Sequence, residues 1–422
     1  MPMELIILVV MLAVFAAGVF WWKLPSGVAM GAAAVAGALT GGHGVPVRHL
    51  VEGTFGYFDA MLIIASAMVF MKVVEATGAL GTISAGMVRS LHRFPTLLMV
   101  VMAFFVMFPG MLTGLSSACI LTTGALVAPA LTAMGIPAVT AGAFIAMMAV
   151  FGMIAPPINI PVMIIGGGVD MPYVGFEGPL MLLTFPLAVF TAVYIRLRYV
   201  RSIDRDQVLS KLAPSLYHRH GALLFLPLAL VIGAMAGVRL FPELVPDVGI
   251  PLVFMAGAAA GLGTGERVHV PTVLRTAVRD SMPVLGILAG VGMFVQVMTL
   301  TGVRGYLAVS ALQLPPEVLY PGIALIMPAM GSAYAASSVV GVPLVFVFLG
   351  RNEVVVTSAL SLIAGIGDLM PPPSLLCVFA SQLLGIDNHF KVLRAAAVPI
   401  AVSLLAGVLM IVFAADIGQL FN

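Results

Sequence analysis

The sequence predicts an all-α, polytopic membrane protein built from two inverted repeats, each holding a re-entrant hairpin and a Pro-broken transmembrane helix. Composition is the first reason. Of 422 residues, 61% are hydrophobic and 9% charged, with mean hydropathy +1.17, whereas soluble domains have about 45–50% apolar and about 25% charged residues. The second is that uncharged runs long enough to cross a bilayer, ~20 residues, recur along the chain. The third is a pair of proline clusters, Ala155-Pro156-Pro157-Ile158-Asn159-Ile160-Pro161 and Gly367-Asp368-Leu369-Met370-Pro371-Pro372-Pro373-Ser374, each inside an apolar segment. Consecutive prolines remove backbone donors and clash with the preceding turn, so neither cluster fits a continuous helix.

In chain order, spans are expected at 3–22, 25–41 and 57–76, then a weakly amphipathic piece at 79–93. Two apolar arms at about 95–134 turn at Thr113-Gly114-Leu115-Ser116-Ser117, a broken helix covers about 139–169, and a span covers 179–200. Residues 1–200 form the first repeat, and 201–220 form a basic linker. Residues 221–422 form the second repeat: spans at 221–240, 249–264 and 282–300, an amphipathic piece at 303–312, and a hairpin at about 318–350 turning at Gly331–Ser338. A broken helix at about 354–384 and a last span at 393–415 complete it. The N-terminus lacks the basic region of a signal peptide, so residues 3–22 read as a retained span. Cys119 and Cys377 lie in apolar runs and suggest neither disulfide nor metal framework. The net charge of +2 is dispersed and gives no reason to expect a nucleic-acid partner.

Two internal matches support the repeat. Phe70, Thr77, Gly78 and Gly81 recur as Phe294, Thr301, Gly302 and Gly305, and Gly152, Pro156 and Pro157 recur as Gly367, Pro371 and Pro372. With re-entrant hairpins each half has an odd number of crossings, so the halves run in opposite senses. Placing the N-terminus outside puts fourteen of the 19 Lys and Arg on the cytoplasmic side, four outside, and leaves Lys72 near a span end. The positive-inside rule favours that arrangement.

Broken spans in corresponding positions of two repeats are the sequence pointer to a transporter's binding site. The hairpin turns offer hydroxyls and half-helix N-termini, which suit an anion. Carbonyls freed at the breaks, with the oxygens of Asn159 and Ser374, suit a hard cation such as Na⁺. Candidate substrate contacts are Thr113, Ser116, Ser117, Asn159, Ser332, Ser337 and Ser374. Asp368, an ionisable residue within a break, is a functional candidate by default. Each feature also has a structural reading: Pro-Pro as a kink, Ser and Gly as packing residues, Lys72 and Glu75 as snorkelling side chains, Asp59 as interfacial. No Lys or Arg is expected at mid-depth, which leaves a carboxylate to dipoles and hydroxyls.

The segments 70–81, 109–134, 153–170 and 366–387 resemble the large membrane subunit of tripartite ATP-independent periplasmic (TRAP) transporters, within the wider ion transporter superfamily. The resemblance implies a non-enzymatic, elevator-type, sodium-coupled importer of a small organic anion, a carboxylate, in a bacterial or archaeal cytoplasmic membrane. Na⁺ is then a coupling ion with no further cofactor. It implies one ion site at Gly114, Ser116, Ser117 and Asn159, and a second at Ser332, Ser337, Ser338, Gly367, Asp368 and Ser374. It also implies a small membrane subunit, a periplasmic substrate-binding protein and surrounding lipid as partners. Tyr334 stands where the family often has an acidic residue. A stand-alone superfamily symporter and a channel or membrane scaffold are the alternatives.

Overall fold

A computed structural model describes residues 2–200, 205–212, 214–241, 243, 246, 248–371 and 373–421; linker positions 201–204 and 213, and Pro372 of the second proline cluster, lie outside the described residues. Among the described residues the chain is helical with no strand beyond an isolated bridge between Leu349 and Arg351. Among the described residues six helices are long and apolar enough to cross a membrane, or up to eight if each of two bent pairs counts as one span. Large apolar side chains remain exposed on several helices, such as Leu62, Leu252, Leu325 and Leu405. That is the expected surface of a protein whose solvent is partly lipid.

The two repeats agree residue by residue at their turning points. Each hairpin reverses on a left-handed glycine, Gly114 at φ 68° and Gly331 at φ 67°. A helical turn follows (Ser116–Cys119 and Ala333–Ala336), then a π-helical turn (Ile120–Gly124 and Ser337–Gly341). The offset from 114 to 331 and from 120 to 337 is a constant 217 residues. The first hairpin's arms run side by side: the Thr123 hydroxyl donates to the Val106 carbonyl at 3.1 Å, and the Gly110 amide donates to Cys119 Sγ at 3.1 Å.

Both proline clusters break their helices. Ala138–Ile154 ends where Ala155 turns extended, and Ile160–Gly168 resumes after Asn159; the Pro156–Pro157 bond is cis. Glu353–Ile366 continues as a short 3₁₀ turn, Gly367–Leu369, and Leu375–Leu384 follows Ser374. Every residue from 140 to 154 and from 355 to 366 is buried. The arms leading into both breaks are therefore enclosed by protein, the condition under which irregular backbone survives at membrane depth.

Helices pack in two groups. Val270–Leu300 lies against Ser26–Thr40, Val47–Phe55 and Phe58–Ala76, and Phe58–Ala76 in turn against Ile250–Gly261. Pro95–Thr113, Ala138–Ile154, Glu177–Tyr199, Glu353–Ile366, Leu375–Leu384 and Ala397–Val412 pack among themselves around the breaks. The groups meet more sparsely, where Phe58–Ala76 touches Pro95–Thr113 and Val270–Leu300 touches Ile160–Gly168.

Two expectations need correction. The span placed at 282–300 is the second part of a 31-residue helix, Val270–Leu300, whose first part carries Arg275, Arg279 and Asp280. Its polar residues sit on the exposed side while Ala277 and Ser281 face inward, so helical geometry continues through a stretch that mean hydropathy reads as a loop. The segment 47–55, unassigned from sequence, is an amphipathic helix with an exposed Arg48–Glu52 pair at 2.7 Å.

The close approach of Ser26–Thr40 to Val270–Leu300 yields a test. A Cβ on Gly27 would overlap the Gly286 carbonyl, whereas a Cβ on Gly286 meets nothing. Gly27→Ala should destabilise the protein by about 1–3 kcal/mol, the usual range for overpacking, and Gly286→Ala should be neutral. Thermal unfolding followed by size-exclusion fluorescence compares the two.

Candidate functional site

Asp368 occupies the second break, and its carboxylate joins both hairpins. The Ser116 hydroxyl from the first turn donates to Oδ2 at 3.0 Å, across 252 positions of sequence. The Ala333 amide from the second turn donates to Oδ1 at 2.8 Å. Asp368 is 6% exposed, and among the described residues no Lys, Arg or His lies within ion-pair distance of it. A carboxylate removed from water with two hydrogen bonds and no cationic partner is poorly compensated.

The turns reach Asp368 because each rests on a break. A Cβ on Gly114 would strike the side chains of Ile158 and Ile160, and Gly367 lies against the backbone of Pro328 and Ser332. The Ile158 amide donates to the Met111 carbonyl at 3.2 Å, which ties the first break to the first hairpin.

Asn159 is the hub of the first break. Its Oδ1 accepts from the Val162 amide at 2.9 Å, capping the helix that resumes there. Its Nδ2 donates to the Ile154 carbonyl at 2.8 Å and to the Ser361 hydroxyl at 3.0 Å, which links it to the helix leading into the second break. Tyr173 closes the arrangement from outside the proline cluster: its hydroxyl accepts from the Asn159 amide and donates to the Pro157 carbonyl, both at 3.0 Å, while its ring stacks on Phe176 at 5.5 Å. Backbone groups expected to be free at the first break are thus largely satisfied from within the protein. In the second break the Met370 amide donates to the Gly367 carbonyl at 2.9 Å, and the Ser374 amide donates to the Met370 carbonyl at 3.0 Å.

Ser374 differs. It sits at φ 55°, a left-handed conformation that a side chain rarely adopts, and its buried hydroxyl oxygen has no hydrogen-bond partner. Strain at one residue together with an unpartnered buried hydroxyl marks Ser374 as a candidate functional residue.

A cavity of about 550 Å³ opens against the turns. Of the sequence-predicted residues, Ser116, Ser117, Ser332 and Asp368 line it; Thr113, Gly114, Asn159, Ser337, Ser338, Gly367 and Ser374 do not. Thr113, Ser337 and Ser338 return their hydroxyls to carbonyls of their own helices, those of Pro109, Ala333 and Ala335. Ser332 Oγ accepts weakly from the Ala335 amide at 3.5 Å. Tyr334 lines the cavity.

The surroundings of Lys72 correct its reading as a snorkelling residue. Its side chain is 18% exposed, and Nζ lies 3.1 Å from both Glu75 and Asp280. All three line the cavity, with Arg279 beside them. Neither the Lys72–Asp280 pair nor Tyr173 was identifiable in the sequence. The first joins helices 208 residues apart, and the second lies beyond the end of the broken helix. Tyr173→Phe should cost about 1–2 kcal/mol of stability, seen as a lower melting temperature, since it removes one donor and one acceptor at a partly buried turn. Hydrogen exchange should accelerate at the Asn159 amide more than at the second break; equal acceleration at both would contradict this role.

No protein-family model matches the chain, and no curated protein matches it in sequence. Among solved structures, the crystal structure of the Alcanivorax borkumensis YdaH transporter, described as revealing an unusual topology, is similar at TM-score 0.59 and 18% sequence identity, over 87% of each chain. At that identity the likeness is one of fold. The chain is a multi-pass, all-helical membrane protein with the architecture of a known transporter, while its resemblance to the TRAP subunit finds no family match.

Proposed function

We propose that the chain is a sodium-coupled secondary importer of a small organic anion, a carboxylate, and acts as the large subunit of a TRAP-type system in a prokaryotic cytoplasmic membrane with its N-terminus outside. The observation that carries this reading is the carboxylate of Asp368, held by Ser116 of one hairpin and Ala333 of the other at the edge of the cavity. An organic anion entering beside that charge is repelled unless a cation neutralises it. Binding of the cation and of the anion are thereby coupled, and coupling between two sites is reciprocal.

Asp368, with the orphaned hydroxyl of Ser374 in the same break, supplies oxygens that suit Na⁺. Ser117 and Ser332 supply cavity-side hydroxyls for the anion, while Ser116 lines the cavity with its proton directed at Asp368. Thr113, Gly114, Asn159, Ser337, Ser338 and Gly367 act behind them, fixing the turns and breaks that present these groups. The sparse contact between the two packing groups supports an elevator motion, in which the hairpins and broken helices slide past Val270–Leu300 and its neighbours. The fold likeness to a transporter supports membrane transport in general.

The test uses the purified chain. Na⁺, compared with K⁺ at equal ionic strength, should raise its melting temperature, and Asp368→Asn should cut that response at least about tenfold in apparent affinity. An identical Na⁺ response in the variant makes Asp368 structural and overturns the coupling. Reconstitution then separates the tripartite system from a stand-alone symporter. Saturable, Na⁺-dependent anion uptake by this chain alone would remove the need for a small membrane subunit and binding protein. Flux without saturation would establish a channel instead.

A further inference from the structure

The cavity that meets the hairpin turns is lined by two polar clusters and an otherwise apolar surface. One cluster is Ser116, Ser117, Ser332 and Asp368; the other, on the helices Phe58–Ala76 and Val270–Leu300, is Lys72, Glu75, Arg279 and Asp280. The rest of the lining is mostly aromatic, thioether and aliphatic, including Phe15, Met68, Met71, Leu121, Ile287 and Phe379. These side chains offer nothing to a hydroxyl group.

The charges of the second cluster are not equivalent. Lys72 is engaged by two carboxylates at 3.1 Å. Asp280 gives one oxygen to Lys72 and the other to Arg279 Nε, the latter at 3.4 Å. The Arg279 side chain is 79% exposed, and among the described residues its terminal nitrogens have no partner. Two carboxylates thus balance two cations, and the two terminal nitrogens of the Arg279 guanidinium remain as a pair of unengaged donors among the described residues. That is the geometry that takes a carboxylate or another planar acceptor in bidentate fashion. Lys72, with its donors already directed at Glu75 and Asp280, is the anchor that holds Asp280 and, through it, Arg279.

From this arrangement we infer that the cavity selects carboxylates with an apolar body, and that Arg279 is a specificity-determining contact for a second polar group at the far end of such a molecule. The inference rests on the transporter reading and narrows its substrate class. One carboxylate lies at the hairpin turns, where the cation at Asp368 offsets repulsion. The hydrocarbon or aromatic middle lies against the methionine and phenylalanine walls, and its burial supplies the apolar part of the affinity. A polyhydroxylated acid of the same size is rejected, because each hydroxyl left without a partner against those walls costs roughly tenfold in affinity.

Thermal stability of the purified full-length chain in Na⁺ tests this with four probes: phenylacetate, octanoate, suberate and gluconate. Phenylacetate, octanoate and suberate should each stabilise the chain at concentrations at which gluconate does not. Suberate, with carboxylates at both ends, should bind about tenfold more tightly than octanoate. In Arg279→Gln that advantage should vanish, with octanoate affinity unchanged. Arg279→Lys should restore it only in part, because an ammonium lacks the fork. Stabilisation by gluconate equal to or greater than that by the other three overturns the inference, and so does the absence of any response to them. An equal loss of octanoate and suberate binding in Arg279→Gln overturns the role of Arg279. The Na⁺ response measured without any anion is independent of these outcomes. If it persists and depends on Asp368 while gluconate is preferred, the coupling stands and the substrate class falls.

Discussion

A polypeptide that unwinds halfway through lipid must find partners for its backbone within the protein. Here the requirement is met twice, by folding a hairpin turn against each break. Asn159 and Tyr173 satisfy the first break, and the Met370 and Ser374 amides turn inward at the second. Asp368 then ties the two solutions together, because its carboxylate takes one hydrogen bond from each hairpin. The position of the cavity and the burial of the arms leading into the breaks follow from this one junction.

The junction also explains why a charge is tolerated where nothing cationic stands beside it. Two donors hold the carboxylate in place without neutralising it, which makes the junction a candidate ion site. Ser374, left-handed and with an unpartnered hydroxyl, adds a strained residue to the same break. Strain and an unsatisfied polar group gathered at one place are grounds for a functional hypothesis there. Lys72, Glu75, Arg279 and Asp280, which line the same cavity, are paired among themselves, so the two polar clusters differ in kind: Asp368 has no cationic partner among the described residues, and the second cluster is balanced.

Much of this architecture was legible from residue types. Single prolines sit inside several of these helices, but consecutive prolines do not, and glycine is the residue for a left-handed turn, so both breaks and both reversals announced themselves at Pro156–Pro157, Pro371, Gly114 and Gly331. Local chemistry does not encode who meets whom across the fold. That Ser116 serves Asp368, or that Lys72 finds Asp280, depends on helices packed from distant parts of the chain. Lys72 near a span end looks the same whether it snorkels or pairs. Val270–Leu300 was shortened for a related reason: its first part buries only a narrow stripe, and average polarity hides the continuity of the helix. The candidate hydroxyls divide the same way. Their presence in the turns was readable, but which of them face the cavity and which bond back to their own helix was set by rotamers that composition leaves open.

The most direct test of the account is an experimental structure of the chain in a lipid nanodisc in Na⁺ buffer, by electron cryomicroscopy. The account predicts that both hairpins return to the side they came from, that their turns meet Asp368 near the middle of the bilayer, and that density for an ion lies against its carboxylate. Hairpins that cross the membrane completely, or unbroken helices through either proline cluster, would contradict it.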